Sequence, residues 1–214
     1  MKKLGFIICA ILSINLHSQN AAKNLFSAKE IVWYGLSFTE AKMVGQFDQA
    51  MGAGIATASE IRNKWMSAWN GLIIAEPQNY KLKEAFEKES VFYDIGPTET
   101  ANQAIKTDNL MSANPFSFAD AQKSVKSAVS KLSGGEKTEG VGVVFVVESF
   151  NKNNDEATVY VTIFDIKTKA ILITEKIIGK PAGIALRNYW AGAMKHVIKQ
   201  IQKEYYSKWK AANK

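Results

Sequence analysis

Apolar and polar positions recur along this chain with two different periods, and the change of period marks out its elements. Residues 30–38 (EIVWYGLSF) are rich in Val, Trp, Tyr and Phe without clean alternation, which predicts a strand covered on both faces. A glycine-rich stretch follows at 43–54 (MVGQFDQAMGAG). Ile61, Trp65, Trp69, Leu72 and Ile73 then fall at helical spacing, so a helix opening at Thr57 lays one apolar face on a sheet. Thr57 and Glu60 have the spacing of a capping box, in which hydroxyl and carboxylate each take up a backbone N–H of the other. Glu76 and Pro77 close this helix.

Residues 79–89 predict a short helix with Leu82 and Phe86 turned inward, and 91–95 (VFYDI) a strand, with Gly96 and Pro97 as punctuation. The segment 98–115 begins with helix-forming TANQAIK and passes into a loop at Asn114 and Pro115. Ser117 with Asp120 predicts the next helix start; Ala121, Val125, Ala128, Val129 and Leu132 supply its stripe, and SGG at 133–135 stops it.

The last third has the clearest pattern. Runs at 140–150, 157–166 and 170–178 are β-rich and separated by the short polar connectors NKNNDE and KTK, which predicts a three-stranded antiparallel meander. From about Gly183 a long helix carries Leu186, Trp190, Met194 or Ala193, Val197, Ile201 and Tyr205 on one side and lysines on the other. The expected fold class is α/β (α+β): a single domain with a mixed β-sheet, packed helices and a closing C-terminal helix.

Composition agrees with a globular domain: 47% of the 214 residues are hydrophobic and 22% charged. The first eighteen residues stand apart. MKK precedes a largely apolar run of thirteen, LGFIICAILSINL, and small Ser18 sits before Gln19, so residues 1–18 are expected to be a secretory signal peptide and 19–214 the mature domain. Without the leader, 25 basic and 20 acidic residues remain, with no cysteine and only His196 among histidines. The expected location is the periplasm or the exterior, including association with the outer membrane.

That inventory bears on chemistry. One histidine and no cysteine do not furnish a zinc site of the usual kind, so no metal is expected. No G-x-S-x-G elbow is present, and the loop holding Gly45, Gly52 and Gly54 matches neither nucleotide-binding glycine pattern. No catalytic or cofactor-binding residue is therefore assigned. Glu148, following an apolar strand, is the acid most apt to be buried. The lysine-rich end with Lys195, Lys199, Lys203, Lys208, Lys210 and Lys214 suits an anionic membrane surface or an acidic protein; export removes nucleic acid as a partner. Arg187, Asn188 and Tyr189, at the start of the last helix, are the candidate interaction surface, because arginine and tyrosine are efficient interface anchors.

Two segments carry a resemblance. IVWYGLSF followed by TEAK, and VYVTIFDIKTKAILITEKIIGKP with Asp165, Ile166, Lys167 and Thr168 in order, resemble the first strand and the strand–turn–strand of the α/β domain shared by TolB and the curli secretion protein CsgG. Leu36, Ser37 and Phe38 stand without the family's aspartate, and Lys169 stands where glycine is usual. The following RNYWAGAMKHVIKQI occupies the place of that domain's closing helix. The resemblance implies a non-catalytic bacterial cell-envelope module that binds an envelope protein or self-associates. Two other readings stay open: a secreted hydrolase using paired carboxylates, and a periplasmic carrier of a small ligand.

Overall fold

The computed structural model describes residues 25–49 and 54–213. The expected signal peptide, Gly52 and Lys214 lie outside the described residues. The strands are β1 (Glu30–Ser37), β2 (Lys42–Val44), β3 (Ser90–Tyr93), β4 (Met111–Ser112), β5 (Val141–Asn151), β6 (Glu156–Asp165) and β7 (Ile171–Gly179). The helices packed on the strands include α1 (58–75), α2 (Leu82–Ala85), α3 (Gly96–Gln103), α4 (Ala121–Ser130) and α5 (185–212). Both long helices contain a single π-helical turn, Ile61–Trp65 in α1 and Ile201–Tyr205 in α5.

All seven strands form one mixed sheet organised by β5. Along one edge β5 pairs in parallel with β1 through its first half and with β2 through its second; along the other it pairs antiparallel with β6. β3 continues outward from β1 and β4 from β2, both parallel. β5, β6 and β7 make the expected meander. Thus β1 and β2 act as one strand broken at 38–41, a feature hidden in sequence because only three residues pair beyond the break.

Both faces of the central strands are covered, as the unalternating run at 30–38 requires. Trp33, Phe145, Val161 and Ile163 face α1 and α5, while Val32, Tyr34, Val144 and Val146 face the α4 stripe of Val125, Ala128 and Val129. α1 opens with the expected capping box: Thr57 Oγ1 accepts from the Glu60 N–H, and Glu60 from the Thr57 N–H. Hydrogen bonds from the Thr57 N–H and the Thr57 hydroxyl to its carboxylate hold Glu60 below the usual range.

Three expectations need correction. The helix expected at 79–89 shrinks to Leu82–Ala85, because Glu87 turns left-handed at φ 48° and the Glu89 and Ser90 N–H groups go to the Lys29 carbonyl, starting β3. Gly96 and Pro97 begin α3 rather than interrupt the chain, since proline in a first helical turn forfeits no hydrogen bond. α4 is capped by Asp120, whose carboxylate accepts from the Lys123 N–H at 2.9 Å. Ser117 lies in the extended segment before it.

Candidate interaction surface

The strongest surface feature gathers at the start of α5. The chain leaves β7 through Lys180–Pro181–Ala182, then passes Gly183 and Ala185 with φ of 133° and 65°. Ala182 N–H donates to the Tyr189 carbonyl, and the Ala182 backbone lies so close over Gly192 that a β-carbon there would collide with it. This crossing holds Ile184 outward, 87% exposed, while Leu186 and Trp190 turn into the core. Ile184 occupies the N-cap position of α5 and supplies no side-chain cap.

Beneath Ile184 lies a recess of about 320 Å³ lined by Phe47, Asp48, Lys152, Leu186, Tyr189 and Trp190, among others. Its aromatic floor is stacked: Trp190 lies parallel to Phe150 at 4.5 Å between centroids and to Phe47 at 5.3 Å. Tyr189 meets Trp190 edge-on. One rim comes from residues 47–49, where Asp48 bridges Ile55 in antiparallel fashion and Ile55 is 49% exposed. The other rim is the β5–β6 turn. There Lys152 Nζ donates to Asp155 at 2.6 Å and to the Tyr189 hydroxyl at 3.2 Å, and its ammonium sits over the Tyr189 ring. Tyr189 in turn donates to Asp155. These bonds push the Asp155 carboxyl below its usual range, chiefly through Lys152 and then Tyr189, while burial raises the Tyr189 phenol.

Of the three residues singled out from sequence, only Tyr189 lines this recess. Arg187 and Asn188 are exposed beside it, with Arg187 Nε donating to Asn188 at 3.2 Å. No ion pair of Arg187 occurs among the described residues. Lys152, Asp155, Phe47 and Ile184 were not legible as partners, because the first three arrive from distant turns. Ile184 did carry a signal: it falls off the Leu186–Trp190 stripe and has no inward position to fill.

The remaining candidates have structural roles. Glu148 is the extra residue of a bulge between β5 and β6 and is 1% exposed. Its carboxylate accepts from the Phe118 N–H and from Lys176, both at 2.8 Å, so it pins the 113–120 connection to the sheet. His196 Nδ1 accepts from the Lys180 N–H at 3.0 Å, which places the neutral ring's proton on Nε2. A cleft at the amino ends of β1 and β5 collects Glu30, Glu136, Glu139 and Asp165. Glu30 is held below the usual carboxylate range by Lys137, and Asp165 accepts from Thr168 N–H and Oγ1 in the β6–β7 turn. On α5, Lys195, Lys199 and Lys203 are exposed, while Lys208 pairs with Glu204 and Lys210 with Glu87.

No group of acidic, histidine or cysteine side chains placed to hold a metal ion occurs among the described residues. No described helix is long and apolar enough to cross a membrane. No protein-family model matches the chain, and no curated protein matches it. The site's chemistry therefore rests on its own geometry: an exposed aliphatic side chain, an aromatic recess and a hydrogen-bonded polar rim.

Proposed function

We propose that this chain is a non-catalytic protein-binding module of the bacterial cell envelope, engaging its partner at the Ile184–Tyr189 corner. The observation that carries this reading is Ile184, 87% exposed at the mouth of an aromatic recess beside the backbone crossing at Ala182–Gly192. Isolated exposed aliphatics are common. Here Ile184 coincides with a stacked floor, a tyrosine already ordered by two bonds, and an arginine without an ion pair among the described residues, the composition of an interface anchor. Arg187, which has no ion pair among the described residues, favours a partner segment that presents an apolar side chain flanked by a carboxylate. Export rests on the leader at 1–18, and the exported protein should begin at or within a few residues of Gln19, which intact-mass measurement reads directly.

The test is photo-crosslinking from position 184 in cells, followed by reconstitution of the purified pair. Ile184→Glu should weaken that pair by about tenfold or more without moving the thermal midpoint. Unchanged affinity of Ile184→Glu would remove this corner from the interface. Crosslinks solely to a second copy, with a dimer in sedimentation, would replace the heterologous partner with self-association.

A further inference from the structure

A second concavity lies on a different part of the molecule, where β1 breaks. β1 leads across this break into β2, and the chain then passes through α1 on one face of the sheet before β3, and through α4 on the other face between β4 and β5. Beside the break lies a solvent-open crevice of about 750 Å³, bounded by residues 39–42 between β1 and β2 and by the second half of α3 with the residues that follow it. The volume is of the size that accommodates a small molecule.

Its chemistry is two-sided. The apolar lining comes from Ala104, Ile105, Leu110 and Phe116. The charged lining is Lys42, Lys106 and Lys131 against a single carboxylate, Glu40. Lys131 is matched to Glu40 at 2.8 Å, and Glu40 also accepts from Ser127. Lys42 donates to the Asn109 carbonyl, which leaves its positive charge unneutralised, and its ammonium lies 6.0 Å from the Phe116 ring centroid. Lys106 is exposed, and no hydrogen bond or ion pair of its side chain occurs among the described residues. Two positive charges therefore face an apolar wall without an ion-pair partner among the described residues.

We infer that this crevice is a binding site for a free amphiphilic monoanion, a molecule with one acidic head and an apolar body. The head lies against Lys106 and Lys42 and the body against Ile105, Leu110 and Phe116. A cationic amphiphile of the same length meets the same wall with two repulsions, so charge sign separates specific occupancy from general apolar adsorption. The site is distinct from the Ile184–Tyr189 corner and does not depend on the function proposed there.

The experiment is calorimetric titration of the protein with decanoate below its micelle concentration, alongside decyltrimethylammonium and decanol, with amide chemical shifts followed in parallel. Decanoate should bind with one-to-one stoichiometry and shift amides of residues 101–110 and 40–42. Lys106→Glu should weaken it by about tenfold, and Ala104→Trp, which fills the crevice from the exposed residue that follows α3, should abolish it, with unchanged thermal midpoints. Equal binding of decyltrimethylammonium would overturn the inference. So would decanoate affinity indifferent to both variants, or shifts centred on Tyr189 instead. If Ala104→Trp unfolds, Lys106→Glu with the shift map still decides.

Discussion

Two asparagines do the work of a missing strand. β3 stops pairing at Trp33↔Tyr93, yet β1 continues to Ser37. Beyond that point Asn70 Oδ1 accepts from the Leu36 N–H at 2.7 Å, Asn102 Nδ2 donates to the Leu36 carbonyl at 2.9 Å, and Asn102 Oδ1 accepts from the Phe38 N–H at 2.8 Å. Both asparagines are fully buried. Gly35, at φ 93°, makes this possible, because a β-carbon there would strike the Asn70 amide. Asn102→Ala leaves the Phe38 N–H without its acceptor, and urea unfolding should register a loss of about 1–3 kcal/mol. Glu148→Leu strands the Phe118 N–H and should lose a similar amount, about 1–3 kcal/mol, whereas Glu148→Gln retains an acceptor oxygen and should lose less.

At the same scale, Asp155 gives the corner a pH dependence. Its folded carboxyl titrates below the ordinary aspartate value because Lys152 and Tyr189 bond the charged form. The stabilisation is therefore complete above the ordinary aspartate range and disappears as pH falls through the depressed folded value. Lys152, raised by the same partner, loses its contribution only at the alkaline end, as pH climbs through its folded value. Carboxyl carbon shifts should place the Asp155 midpoint below 3.8, and Asp155→Asn should remove the accompanying acid transition of the Tyr189 ring signals. An Asp155 midpoint at or above its ordinary value would contradict the bonded geometry.

Among the elements, α5 depends most on close backbone approach. Gly192 admits the Ala182 carbonyl, and Gly179 at the end of β7 admits the Ala193 carbonyl and the Val197 side chain, so helix, crossing and edge strand meet closely. Gly192→Ala gains helix propensity but forces the crossing away, and should lower stability by about 1–3 kcal/mol in denaturant melts. It should also change the exchange protection of Ala182. The element pattern was largely legible: β1, β5, β6, β7, the capped start of α1 and the α4 and α5 stripes all follow from periodicity. The short strands β2 and β4 were not. Their three and two residues are too few for a period to show, and pairing with β5 and with each other defines them.

Across the whole molecule, tyrosines report the core. Tyr34, Tyr80 and Tyr206 are buried, and burial pushes each phenol up to about 12, assisted by Asp94, Glu76 and Glu87 respectively. A raised folded value favours the protonated, folded form, so this stabilisation is present below about pH 10, the ordinary value, and is lost as pH rises toward 12. Absorbance titration at the phenolate band should show a late phase for these three of the seven tyrosines, coincident with loss of tertiary structure. A single early phase with the fold intact would contradict their burial.

What the amino-acid order determined by itself was local and periodic: which segments are strands or helices, which face of each is apolar, and the meander that closes the sheet. Hydrophobic spacing carries that information because it acts within a few residues. Tertiary structure alone decided that β1 and β2 share one edge of β5, that Asn70 and Asn102 finish a strand, and that Lys152, Asp155 and Tyr189 converge on one recess. It also brought Lys42, Lys106 and Lys131 to one crevice. Those contacts join residues tens of positions apart, and no local period encodes a meeting that depends on how crossovers, bulges and glycine-permitted approaches place one element against another.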